Sequence, residues 1–171
     1  MPKFKMVETI DTTQVITARL GTGTFTASAA NIYTDKEVGK FVKLGGANRY
    51  VLCAAGDAIE GRITSVEIGR NDDYSFGGVA VEAQFLEVVL DGLQGTPGTG
   101  VVAIGDYVVC GSVVAQGTAI VFPSRAKVCK ATTQSAAMSN PYAWRVVSIG
   151  ATGADGVSGA VGTSATLQST F

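Results

Sequence analysis

The amino-acid sequence predicts an all-β protein, a small curled β-barrel or sandwich, and three observations lead there. Valine occurs 22 times against 7 leucines, and a β-branched side chain keeps its preferred rotamer on a pleated surface while losing freedom in a helix. Glycine (22) and threonine (18) are abundant, as short strands joined by many turns require. Two apolar runs also change phase midway, the signature of a β-bulge, which bends a sheet towards closure. The 171 residues suffice for one domain with a real core, or one domain carrying extended arms.

Taken in order, residues 1–13 are mixed and polar, end in Asp11-Thr12-Thr13, and read as an N-terminal arm. Residues 14–20 alternate, with Ile16, Ala18 and Leu20 on one face and Thr17 and Arg19 on the other, so the barrel or sandwich domain is expected over 14–149. Strands at 40–44 and 50–54 flank Gly45-Gly46-Ala47-Asn48, a hairpin signal. Within 59–68, Ile59 and Ile63 share one phase and Val66 and Ile68 the other; within 79–90 the phase changes again after Phe85. Each is expected to be one strand with a bulge. A glycine-rich connection at 92–105 precedes strands at 106–110, 112–115, 118–122, 126–130 and 143–149, with one helical turn at 132–138, before Asn140-Pro141. Ala54-Ala55-Gly56-Asp57-Ala58-Ile59 and Ala103-Ile104-Gly105-Asp106-Tyr107-Val108 echo each other, each Gly-Asp fitting a turn that feeds a strand.

Residues 150–171 are expected to be a Gly/Ala/Ser/Thr-rich tail outside the domain. Glycines at 150, 153, 156, 159 and 162 keep a period of three. A collagen-like segment has that period because only glycine fits at a crowded three-chain axis. The run holds no proline and is short, so a flexible or loosely paired segment is the simpler expectation. The period nonetheless points towards trimers.

Histidine is absent, which removes the commonest general base and metal ligand together. A Ser-His-Asp or Cys-His site is therefore excluded, and a structural or binding module is expected rather than an enzyme. Ser124-Arg125-Ala126-Lys127 has the Ser-x-x-Lys spacing of penicillin-recognising hydrolases, but it sits between two strands and lacks the partner motifs. Gly95-Thr96-Pro97-Gly98-Thr99-Gly100 lacks the Gly-Lys-Ser/Thr ending of a phosphate loop. Asn71-Asp72-Asp73 has no spaced ligand series for calcium. No cofactor, metal or small-molecule substrate is implied.

Cys53, Cys110 and Cys129 lie inside apolar runs without CxxC spacing. They read as buried free thiols, with one disulfide or an inter-subunit bridge as the alternative. Trp144, beside Tyr142 and Arg145, suits core packing or an interface anchor. A net charge of −1 without a basic run argues against nucleic acid. The uncharged run at 107–124 is broken by Gly111, Ser112, Gln116, Gly117 and Pro123, so buried strands explain it better than a membrane span. Met1-Pro2-Lys3-Phe4-Lys5 lacks a signal peptide's apolar core, and a soluble protein made in the cytoplasm is expected.

Four stretches together carry a family resemblance. Gly39-Lys40-Phe41-Val42-Lys43-Leu44, Ala55-Gly56-Asp57-Ala58-Ile59-Glu60-Gly61 with Val66, Tyr74-Ser75-Phe76-Gly77-Gly78-Val79, and Ala103-Ile104-Gly105-Asp106-Tyr107-Val108-Val109 resemble head decoration (capsid cement) proteins of tailed bacteriophages. The resemblance covers a little under half of the chain and carries no catalytic signature. It implies a compact β fold, commonly a homotrimer, seated on the outer capsid surface of the virion with the major capsid protein as partner. Another virion part (tail-tube, fibre or head-completion protein) and a carbohydrate-binding or adhesin β module are the competing readings.

The arm supplies the candidate capsid interface: Lys3, Phe4, Lys5, Met6, Val7 and Ile10. Its apolar members precede the first clearly patterned strand, and pairing with a strand of a neighbouring subunit would bury them. The alternative is that residues 4–10 form the first strand of the domain's own sheet.

Overall fold

The computed structural model describes residues 14–21, 33–46, 48–68, 75–82, 86–120, 126–140, 143–150 and 158–170. The arm, with its six candidate interface residues, lies outside them, as do residues 22–32, 71–73 and 124–125, and Tyr142. The described residues are mainly strand, and the strands close into small barrels, as the all-β reading requires.

The first barrel uses β1 (Gln14–Leu20), β2 (Phe41–Gly45), β3 (Arg49–Leu52), β4 (Gly61–Ile63) and β6 (Ser75–Glu82), with β5 (Glu67–Ile68) also against β6. Its ring order is β1-β3-β2-β4-β6, returning to β1. The β2–β3 hairpin turns at Asn48, whose φ of 55° lies in the left-handed region that asparagine tolerates, in register Gly45↔Arg49 and Leu44↔Tyr50. Leu20, Tyr33, Val42, Tyr50, Ile63, Val79 and Val81 fill the interior.

The register shift expected in 59–68 is present, but between two short strands, β4 and β5, and not within one continuous strand. Ile63 pairs with Val79 and Glu67 with Phe76, so four residue steps on one side face three on the other. That extra residue reverses the face on which later side chains fall. Gly77 makes room for it, since a Cβ there would collide with the Ser65 carbonyl oxygen.

The phase change in 79–90 has a different cause. β6 ends in the first barrel and β7 (Leu86–Leu93) begins the second, so the chain changes sheet and buries a new face. The second barrel adds β10 (Tyr107–Cys110), β11 (Lys127–Lys130), β12 (Ala143–Ile149) and β14 (Ser164–Thr170). Ring order is β7-β11-β10-β12-β14, returning to β7. Labelled a to e in chain order, both barrels run a-c-b-d-e and close with e beside a. In each, a–c is the parallel pair and the other four pairs are antiparallel. One topology is used twice.

The glycine-rich connection is also structured. β8 (Thr96–Pro97) folds back on β7, and β9 (Val101–Ala103) pairs with β13 (Ser158–Ala160) as a ribbon that inserts Val102 into the core. Strands expected at 112–115 and 118–122 do not form over 112–120. The expected helical turn is α1 (Gln134–Met138); Gln134 Oε1 accepts from Tyr107 N (2.7 Å) and its Nε2 donates to Tyr107 O (2.9 Å).

The expected tail at 150–171 requires correction. β14 lies between β12 and β7 with Leu167 and Ala165 buried, so the domain extends beyond 149. Small and hydroxyl residues alternate with these two core residues, and a strand with one buried face needs no more. Residues 158–170 are therefore neither a triple helix nor a loose appendage.

The barrels share a seam. Phe41, Cys53 and Ile59 of the first join Leu86, Val88, Val108, Cys110, Val128, Trp144 and Leu167 of the second in one apolar cluster. The Trp144 indole Nε1 donates to Ile59 O at 3.0 Å across it, so Trp144 is a core residue. A chain ended at Gly150 should fail to fold its second barrel, and Leu167→Ala should cost about 3 kcal/mol. Urea unfolding checks both, and a cooperative, near-native transition in the shortened chain would contradict the assignment.

Candidate functional site

Three short backbone clasps position the seam. Gly39 N donates to Ile63 O (2.8 Å) while Lys40 O accepts from Ile63 N (3.0 Å). Gly105 N donates to Val146 O (2.8 Å) and Asp106 O accepts from Val146 N (3.0 Å). The third crosses between barrels: Gly56 N donates to Cys110 O (2.7 Å) and Asp57 O accepts from Cys110 N (2.9 Å). All three glycines have positive φ (87°, 95° and 87°), a conformation that costs other residues steric strain. Asp57 and Asp106 each accept from the backbone three residues earlier, at Ala54 (2.7 Å) and Ala103 (2.8 Å).

Above the seam lies an apolar groove enclosing about 560 Å³ of empty space, part of it open to solvent. Phe41, Val113, Val114, Ile120 and Ala126 line it together with the Cys53 and Cys110 side chains, and Lys40 and Lys127 contribute its cationic groups. Val113 and Val114 are exposed, on the segment expected to form strands.

Two buried carboxylates, one per barrel, hold that segment. Glu37 accepts from Gly117 N (2.6 Å), Thr34 N (2.7 Å) and Thr34 Oγ1 (3.1 Å), and Lys40 Nζ stands 3.3 Å away. Lys40 Nζ also donates to Ala115 O at 2.9 Å. Asp91 accepts from Ser112 N (2.7 Å) and faces Lys127 Nζ at 3.5 Å. Backbone groups of 112–117 thus find charged partners in place of a strand ladder.

Burial alone would raise the Glu37 pKa. The hydrogen bonds from Thr34 and Gly117 and the Lys40 charge together outweigh it, and the carboxyl titrates below its ordinary 4.5. Asp91 follows the same logic: burial opposes ionisation, but bonds from Ser112 and the Lys127 charge prevail and lower it below 3.8. Carboxylates so occupied serve as anchors, because their lone pairs are already committed. Among the described residues no three His, Cys, Asp or Glu side chains converge as metal ligands.

The three cysteines are free and buried. Cys129 donates to Asp91 O (3.5 Å), and burial first, then the Asp91 charge, push its thiol up to about 11. Of the candidate motifs, residues 95–100 hold β8 and the turn that follows it, closed by Thr99 N to Thr96 O (3.1 Å), and Lys127 opens β11. Sequence reasoning passed over Glu37 and Asp91. The signal for Glu37 was present as Thr34-Asp35-Lys36-Glu37, a capping box around a 3₁₀ turn. No family model, curated protein or solved structure matches the chain.

Glu37 makes stability depend on pH. A carboxyl whose folded pKa is lowered contributes stability above its unfolded value, and that contribution is lost as pH falls through the folded value. Glu37→Gln should cost about 2 kcal/mol at neutral pH and flatten the loss of stability below the ordinary value of 4.5. Urea unfolding at pH 7 and in mild acid checks this; an unchanged acid slope would exclude the role.

Proposed function

We propose that the chain is a structural virion protein that binds the outer surface of a tailed-phage capsid and cements neighbouring major capsid subunits, acting as a homotrimer without catalytic chemistry. The observation that carries this reading is where the resemblance residues fall. Gly39-Lys40, Gly56-Asp57 and Gly105-Asp106 form the three clasps, and Gly77 admits the bulge. A resemblance concentrated in backbone devices is one of architecture, as expected of proteins whose work is to hold shape and make contacts.

The surface supports the same reading. Val15, Leu44, Val101, Val113 and Met138 are each half or more exposed, scattered over both barrels as many modest contacts require. Several such contacts on one trimer raise each other's effective concentration. Among the described residues, the beginning of β1 is paired on one side. Arg19 and Leu20 pair with β3, while residues 14–18 pair, among the described residues, with β6 alone, and Val15 and Ile16 are exposed there. In this reading the arm residues Lys3, Phe4, Lys5, Met6, Val7 and Ile10 are the segment that pairs with a strand of the capsid or of a neighbouring subunit. Strand addition supplies affinity through backbone hydrogen bonds and register through alternate side chains.

Co-sedimentation with empty heads tests the proposal, together with a deletion of residues 2–12. The deleted protein should stay folded, and its binding to heads should fall at least about tenfold. Failure of the full-length chain to bind heads, or stacked open rings in place of closed trimers, would overturn the cement role. Unfolding of the deleted protein would return the arm to the domain's own sheet.

A further inference from the structure

Two of the three thiols meet at the seam, one from each barrel. Cys53 follows β3, its amide donating to Phe41 O at 3.0 Å, three residues before the glycine whose amide holds the Cys110 carbonyl. Cys110 ends β10 in the second barrel. Both side chains belong to the shared apolar cluster and line the same groove, and the Cys53 thiol donates to Ala58 O at 3.6 Å. Cys129 is turned away: it packs with Val109 and Ala131 in a separate cluster and donates to Asp91 O.

We propose that Cys53 and Cys110 are a disulfide-forming pair, which a small disulfide oxidant entering by the groove converts into a covalent staple between the barrels. One thiol loses its proton and attacks a sulfur of the oxidant, breaking that S–S bond and releasing one oxidant half as a thiol. The second thiolate attacks the mixed disulfide, forms the Cys53–Cys110 bond and expels the other half. Two protein thiols are oxidised and one small disulfide is reduced to two thiols. Reaction is slow near neutral pH, because the neighbouring Cys110 side chain and then burial raise the Cys53 pKa and hold the thiol protonated. The staple would close the loop from 53 to 110 and restrict the unfolded chain. It needs no virion, but a particle leaving a reducing cytoplasm meets the conditions that form it.

The test incubates the full-length protein with 2-hydroxyethyl disulfide at mildly alkaline pH, then maps its peptides by mass spectrometry without reduction. The expected product is a Cys53–Cys110 linked peptide, two hydrogens lighter than the free pair, with Cys129 still open to alkylation after unfolding. Its melting temperature should rise by about 5 °C and return on reduction. Cys129→Ala should keep the link and Cys53→Ala should lose it. A link through Cys129, a bond between two chains, or only single mixed adducts would overturn the assignment. So would native thiols that stay free under conditions that link them in urea, a readout that does not depend on any variant folding.

Discussion

Each barrel is closed by one parallel pairing, β1 with β3 and β7 with β11, and the rest of the structure depends on these two contacts. The other four pairs in each ring are antiparallel. Without the parallel pair, each barrel would be an open five-stranded sheet with two unpaired edges, exposed to aggregation. With it, the interior is enclosed on all sides, and a few short strands suffice to bury Val42, Ile63 and Val79 in one ring and Val88, Val128 and Leu167 in the other. The first pairing spans only Arg19↔Arg49 and Leu20↔Tyr50. It fixes the ring, and β3 reaches no further along β1 among the described residues.

The repeat of one strand order within a single chain changes the meaning of the internal echo. Residues 54–59 and 103–108 look alike, yet they occupy different places. The first leads from strand c to strand d of its barrel, while the second precedes strand b of the other. The structurally equivalent segments are Val38-Gly39-Lys40-Phe41-Val42 and Ile104-Gly105-Asp106-Tyr107-Val108, each clasping strand d. The clasp needs only a glycine at positive φ and the next residue's carbonyl. Its second position therefore carries Lys40 in one case and aspartate in the others. The Gly56-Asp57 copy is spent on joining the barrels, so the device that closes a ring also builds the seam.

The groove follows from the same economy of backbone bonding. The segment 112–120 is apolar enough to be read as strand, but both rings are already complete. Its amides turn instead to Glu37 and Asp91, which burial would neutralise if several donors did not hold them ionised. The resulting surface is apolar and partly exposed, with two buried thiols beneath it, a feature that neither barrel has by itself.

Much of this was legible in the sequence. Valine excess, short alternating runs and turn glycines gave the all-β class, the β2–β3 hairpin, the bulge after Ile63, the strand at 143–149 and the turn of helix at 134–138, because these rest on local propensity and period. Burial of Cys53, Cys110 and Cys129 followed from their aliphatic neighbours. Other features were decided only by the tertiary structure. A phase change reads the same whether a strand bulges or crosses to another sheet, so residues 79–90 did not reveal the second barrel. Ser/Thr/Gly-rich residues 158–170 became strands because β12 and β7 offered edges on both sides of β14, and Leu167 and Ala165 met a core there. Glu37 and Asp91 acquired their roles from amides 80 and 21 residues away. Periodicity reports a residue's near neighbours along the chain; ring closure and the seam are made by partners that no local pattern identifies.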